Sequence, residues 1–369
     1  MRIDQIELRI VHLPYRSVFK TSFAAESAKT AVLVTVRSEG VEGYGEGVMD
    51  PLPHYREETI AGATGLMRDA LAPDLFARGC EHPSELYDRW AHWRGNNMAK
   101  TAIELAVWDC YARQHDVPLR TLYGGDRTEI PVGASLGMNP VPETVASVER
   151  HVAEGYRRVK LKVMPGWDLE PLRAVRADHP DLALQVDANA GYTAAHLDLV
   201  ASFDDFGLLM VEQPFAPEEL RLHARLAARM ATPICLDESI LSTVHAATAL
   251  DLGACTIVNI KVGRVGGVLE ARRIHDLCLA RGVPVWCGGM LETGIGRAAN
   301  VALASLPGFT FPADLSASDR YWRRDLTEAF VLDGSCLRVP DGPGLGVSVD
   351  ADALDELGAE VRAVAGVAR

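Results

Sequence analysis

Lys162, Asp187, Glu212, Asp237 and Lys261 stand at an almost constant interval, separated by 25, 25, 25 and 24 residues. Each closes or nearly closes a short apolar run, so the spacing is that of a repeating structural unit. Three carboxylates bracketed by two ammonium groups would be costly to bury without compensation, several kcal/mol per ion. A hard divalent cation with oxygen ligands compensates them: Mg²⁺ first, with Mn²⁺ or another divalent ion as substitutes. Independent helix caps would not keep such a step. None of the eleven histidines falls on this ladder, which argues against zinc. The chemistry that suits such a charge pattern is removal of a proton α to a carboxylate. That step builds an enediolate, whose charge a divalent ion and flanking ammonium groups stabilise where it develops.

Lys160 and Lys162 form a Lys-x-Lys pair. On a strand, residues i and i+2 face one side, so both ammonium groups point inward. Their repulsion and partial desolvation are expected to lower a lysine pKa toward neutrality, as a general base requires. Lys261 lies across the ladder, placed to act on the opposite face of a substrate. Other chemistries lack their signatures. There is no GxGxxG for hydride transfer, no Walker loop, and no evident His partner for Cys235 or Cys287.

The elements that must carry these residues follow from periodicity. The first 50 residues alternate as strands, with Ala31–Val36 a β-branched run, and predict a three-stranded antiparallel meander. From Tyr55 to His115 the period is helical, most clearly over Met98–Arg113. Pro118, Gly124 and Gly125 place a boundary near residue 126. Beyond it, apolar runs alternate with amphipathic helices such as Pro217–Met230 and Gly267–Arg281. The runs are Ile130–Leu136, Arg158–Val163, Leu182–Asp187, Leu208–Glu212, Pro233–Asp237, Thr256–Lys261 and Val283–Cys287. Such alternation predicts an α/β chain with a closed parallel (β/α) barrel whose C-terminal mouth collects the ladder. A doubly wound open sheet is the competitor, but no glycine fingerprint follows the first run. The expected domains are 1–126, 127–321, and a 322–369 tail packing back on the first.

The chain has 369 residues, 48% hydrophobic and 24% charged, enough to build a substantial core. A formal charge of −13 without a basic patch argues against nucleic acid and anionic membrane surfaces. No apolar stretch nears the roughly 20 residues of a membrane span, and Asp4 and Glu7 make Met1–Pro14 an unsuitable signal peptide. Seven cysteines without a CxxC fit reduced core thiols. A soluble, cytoplasmic protein is expected.

Further candidates surround the ladder. Asn189, two residues past Asp187, is expected to support the metal shell. Glu238, beside Asp237, should point elsewhere if its strand persists. Gly288, Gly289 and Met290 begin a loop whose N–H groups are placed to hold a remote carboxylate. Phe19 and Phe23 in one N-terminal loop, and Met49 and Tyr55 in another, are candidates to cover the site.

Lys-Leu-Lys (160–162), Val-Asp-Ala-Asn (186–189), Val-Glu-Gln-Pro (211–214), Leu-Asp-Glu-Ser (236–239) and Asn-Ile-Lys (259–261) together resemble the enolase superfamily, in its muconate lactonizing enzyme subgroup. Phe-Lys-Thr-Ser-Phe (19–23), Gly-Arg-Val-Gly-Gly (263–267) and the Trp-Cys-Gly-Gly-Met-Leu segment from Trp286 are most similar to its o-succinylbenzoate synthase / N-acylamino acid racemase proteins. The resemblance implies a modified (β/α)₇β barrel under an N-terminal α+β capping domain, completed by the C-terminal tail. It implies Mg²⁺ on Asp187, Glu212 and Asp237, Lys162 as acid/base supported by Lys160, and Lys261 as cation or second base, with Arg264 tuning it. The implied substrate is a small succinyl-bearing carboxylate. It is either dehydrated to 2-succinylbenzoate, a step toward menaquinone, or racemised as an N-succinyl- or N-acylamino acid. Assembly as a dimer or octamer is implied too. A muconate-type cycloisomerase or a dipeptide epimerase is the related alternative, although residues 311–316 carry only Asp314 where epimerases show Asp-x-Asp. A non-catalytic metal-binding barrel is the remote one.

Overall fold

The computed structural model describes residues 1–20 and 25–365. Three long antiparallel strands open the chain: β1 (Gln5–Lys20), β2 (Ala25–Ser38) and β3 (Val41–Gly47). The β1–β2 pairing carries a register shift between Pro14 and Phe19, as expected where proline has no N–H for the ladder. Helix Asn97–Gln114 lies against β3 with its backbone in contact. Gly43 and Gly45 make that possible, since a Cβ at either would meet helix backbone at Ala106, Cys110 or Ala102 within 2.3 Å. Small side chains on the helix complete the fit, and the whole forms an apolar core of its own around Ile103, Val107, Met67 and Trp90.

The second sheet is parallel. It holds β5 (Ala134–Leu136), β6 (Arg158–Lys162), β7 (Ala183–Asp187), β8 (Val211–Glu212), β9 (Ile234–Leu236), β10 (Ile257–Ile260) and β11 (Val285–Cys287), side by side in chain order. Residues 309–314 close the ring without forming a regular strand. Asp314 N donates to Cys287 O on one side, and Gly133 N donates to Ala313 O on the other, both at 2.9 Å. The apolar run over 130–136 is split. Its first part, β4 (Glu129–Pro131), pairs instead with β12 (Cys336–Arg338). The chain ends with β13 (Gly358–Ala365), antiparallel to β1, while Tyr15 stacks on Trp322 with centroids 5.1 Å apart.

Buried carboxylates staple the N-terminal sheet and helix to the barrel. Glu46 accepts from Thr293 and Gly296 at the start of helix Gly294–Ala304. Glu104 accepts from Val268 N at the start of helix Val268–Ala280, where an anionic side chain is favoured. Thr101 Oγ1 and Asn97 Nδ2 donate to the carbonyls of Val262 and Arg264. The segment that carries Lys261 is thus held from above by the long helix. All seven cysteines are free thiols, six of them buried. No helix among the described residues is long and apolar enough to cross a membrane.

Candidate active site

The ladder residues converge at one end of the parallel sheet. Lys162, Asp187 and Glu212 are the last residues of β6, β7 and β8, in direct register with one another. Asp237 and Lys261 are the first residues beyond β9 and β10. All three carboxylates are at most 1% exposed. They sit beneath a cavity of about 100 Å³, lined by Lys160, Lys162, Lys261, Asn189, Tyr55, Gly289 and Met290 among others.

Each carboxylate is met by a cation. Lys162 Nζ donates to Asp187 Oδ2 at 2.7 Å and to Asn189 Oδ1 at 2.6 Å. Lys261 Nζ donates to Asp237 Oδ2 at 2.8 Å, and Arg264 donates to the other oxygen of Asp237. Arg264 is itself fully buried and fixed by the carbonyls of Ile240 and Asn259. Tyr55 Oη donates to Asp237 Oδ1 at 2.8 Å, and Lys261 Nζ lies 4.6 Å from its ring centroid. Burial alone would raise the Asp237 carboxyl, but Lys261 and Arg264 outweigh it and hold the group well below its ordinary range. Glu212 has weaker compensation. Burial and then Asp187 push it up to about 7.

Lys160 is held by carboxylates as well as facing Lys162. Its Nζ lies 2.5 Å from Asp314 Oδ2, 3.1 Å from Glu212 Oε2 and 3.3 Å from Asp187 Oδ2. Desolvation pulls its pKa down, yet Asp314, Glu212 and Asp187 together hold it well above the ordinary value. These three carboxylates favour the ammonium form of Lys160, whose Nζ also sits 4.9 Å from the Trp286 ring centroid.

Glu238 departs from the expectation based on strand alternation. Strand β9 stops at Leu236, alternation lapses, and Glu238 turns back into the site. Its Oε1 accepts from Asn189 Nδ2 at 3.0 Å, while Oε2 is buried without a hydrogen-bond partner. Burial, then Asp237 and Asp187, push it up to about 8. Asn189, at φ 42°, thus bridges Lys162 and Glu238. Among the described residues, no three His, Cys, Asp or Glu side chains close into a ready metal cage.

The remaining candidates separate. Gly289 and Met290 line the cavity. Gly288 N is already committed to Ile260 O at 3.0 Å, so it has no free donor for a remote carboxylate. Gly288 matters by its size instead, because a Cβ there would lie 2.8 Å from Lys261 Cε and 2.3 Å from Asn259 Oδ1. Met49 is 1% exposed and belongs to the N-terminal core rather than the cavity wall. Phe23 lies outside the described residues, and of Phe19 only the backbone, paired with Glu26 at the end of β1, is described. Tyr15, Lys29, Asp50, Ser135, Leu291 and Tyr321 line the cavity without having been singled out. No motif marks them, since they come from β1, β2, β5 and connecting segments with no common period.

A parallel sheet with lysines and carboxylates at its strand ends, under a strand-rich N-terminal unit, defines a class, and the comparisons agree with it. Residues 5–124 match the mandelate racemase / muconate lactonizing enzyme N-terminal domain, and residues 143–353 match the family described as enolase C-terminal domain-like. The chain belongs to the enolase superfamily, whose enzymes are in general dependent on a divalent metal. It is 49% identical to an N-succinylamino acid racemase of Amycolatopsis sp over 97% of this chain and 98% of that one. It is 48% identical to an o-succinylbenzoate synthase of Geobacillus kaustophilus, over 95% and 94%. An enolase-superfamily member from Listeria innocua superposes with a TM-score of 0.95 at 38% identity, covering 99% of both chains. Muconate lactonizing enzyme from Pseudomonas fluorescens gives 0.90 at 26% identity, over 97% and 99%.

Proposed function

We propose that this chain removes a proton α to a substrate carboxylate, acting as an o-succinylbenzoate synthase, an N-succinylamino acid racemase, or both. The observation that carries the reading is that Lys162 and Lys261 line one cavity, from β6 and from the end of β10, with Asp187, Glu212 and Asp237 between them. The relatives at 48% and 49% identity bear these two names, which supports both activities together.

Asp187, Glu212 and Asp237 would hold Mg²⁺, or Mn²⁺ in its place. Their all-oxygen donor set suits a hard cation, and the buried Oε2 of Glu238 beside them has no hydrogen-bond partner. When bound, such an ion supplies positive charge against the substrate carboxylate. Lys162 takes the α-proton, its amine positioned by Asn189 and Asp187. As the proton leaves, negative charge grows on the carboxylate oxygens. Lys160 stands nearby as a fixed ammonium held by Asp314, so no reorganisation is needed when that charge appears. In the dehydration, the Lys162 ammonium gives its proton to the departing hydroxide and Lys261 acts as a cation. In the racemisation, Lys261 returns a proton from the opposite face.

Two assays on one preparation test this. Loss of 2-succinyl-6-hydroxy-2,4-cyclohexadiene-1-carboxylate absorbance reads dehydration, and decay of optical rotation of N-succinyl-L-phenylglycine reads racemisation. Activity in at least one assay is expected. Inactivity in both, with turnover of cis,cis-muconate, would favour the cycloisomerase.

A further inference from the structure

Tyr15 and Tyr321 line the reaction cavity and also line a second recess of about 140 Å³. Among the described residues its wall has three arginines, Arg16, Arg150 and Arg320, and no aspartate or glutamate. Among the described residues none of the three makes an ion pair with a carboxylate. This occurs in a chain with 50 acidic residues against 37 Lys and Arg, where arginines elsewhere pair freely. Arg320 is held in place rather than free. It donates to the Ser135 carbonyl, to the Tyr321 hydroxyl, and through Nε to His151 Nε2 at 3.1 Å. Ser135 itself lines the reaction cavity, so this guanidinium sits on the wall between the two spaces. His151 donates from Nδ1 to Ser147 O at 2.6 Å, which leaves Nε2 as the acceptor of the neutral tautomer. Burial first, then Arg320 and Arg150, push its pKa down to about 4, so the ring adds no charge.

A rigid guanidinium with unused N–H groups, flanked by two more at the rim, is built for a carboxylate. Resting on the function proposed above, we propose that this recess holds the distal carboxylate of the substrate's acyl arm. The enzyme would thereby select dicarboxylates carrying a short, flexible second acid over neutral N-acyl analogues. The α-carboxylate belongs to the lysine cavity, and the second acid reaches past the Tyr15–Tyr321 wall to the arginines. Arg16, Arg150 and Arg320 are then specificity residues, remote from the bonds that break.

The test compares N-succinyl- with N-acetyl-phenylglycine, in the wild-type protein and in Arg150→Gln and Arg16→Gln, whose exposed side chains can be replaced without disturbing the core. Racemisation gives kcat/KM for each substrate, and calorimetry gives each affinity independently of turnover. The succinyl-to-acetyl ratio is expected to fall at least tenfold in Arg150→Gln, in affinity as well as in kcat/KM. An unchanged ratio, or equal losses for both substrates, overturns the proposal. If the wild type turns over neither compound but binds the succinyl one selectively through Arg150, the recess stands and the reaction assignment falls. If inorganic phosphate raises the wild-type Tm and not that of Arg150→Gln while the ratio is unchanged, the recess binds a free anion, and the substrate-arm proposal is overturned.

Discussion

Lys160 Nζ and Asp314 Oδ2 lie 2.5 Å apart, joining β6 to the irregular segment that closes the barrel. Arg158 donates to the other oxygen of Asp314 at 2.8 Å, so one carboxylate bridges two cations. Asp314→Asn would leave both under-compensated. Breaking such a buried pair costs about 3–5 kcal/mol. Urea denaturation is expected to show a loss of that order. The double variant Lys160→Met with Asp314→Leu should lose less than the sum of its single changes. A single Asp314→Asn variant as stable as wild type would remove the pair from the account.

Gly288 has an ordinary φ, so its requirement is one of space. In Gly288→Ala the new methyl meets Lys261 Cε and the Asn259 amide, whose Nδ2 donates to Glu212 Oε1 at 2.7 Å. A displacement of about 1 Å at a reacting group can cost on the order of a hundredfold. Racemisation by Gly288→Ala is expected to fall at least tenfold in kcat with little change in Tm. Wild-type kcat would show that Lys261 has room to spare.

His223 fixes the loop that follows β8. Its Nε2 accepts from Phe215 N at 3.2 Å, and Nδ1 donates to Glu219 O at 2.9 Å, so the ring must be neutral. Burial pushes its pKa down to about 4 from an ordinary value of 6.5. Between those values the unfolded chain binds a proton that the folded site refuses. The stability His223 allows is therefore complete above pH 6.5 and drains as pH falls toward 4, by up to ~1.4 kcal/mol per pH unit. Relative to wild type, His223→Gln should show a shallower loss of stability from pH 6.5 to 4. Parallel curves would refute this assignment.

Divalent-ion binding has a readout apart from turnover. Mg²⁺ at about one hundred times its Kd should stabilise the fold by ~2.7 kcal/mol. Glu212→Gln and Asp237→Asn should lose most of that rise in Tm, and chelator should abolish it in the wild type. A rise that survives in both variants would place the ion elsewhere.

The ladder was legible in the sequence because a repeating unit of constant length returns each strand end to the same level of the barrel. What the sequence hid came from distance and irregularity. Lys160 reads as the support of Lys162, but its tie to Asp314, in a segment with no strand pattern, is not visible in the sequence. Glu238 faces away only on an alternation that in fact ends at Leu236. Met49 follows a glycine-rich strand and reads as a loop residue, yet the close packing of helix Asn97–Gln114 draws it into the core. Tyr55 needed the fold to bring it to Asp237 across 182 positions of chain.

The central claim is that Lys162 and Lys261 work on opposite faces of one α-carbon. Proton NMR in D₂O with Mg²⁺ and each enantiomer of N-succinyl-phenylglycine tests it directly. Wild type should exchange the α-proton of both enantiomers. Lys162→Ala and Lys261→Ala should each abolish racemisation, and each should lose exchange of the enantiomer whose proton faces the missing lysine. Exchange of both enantiomers by either single variant, or by neither protein under conditions where the substrate binds, would contradict the two-base account.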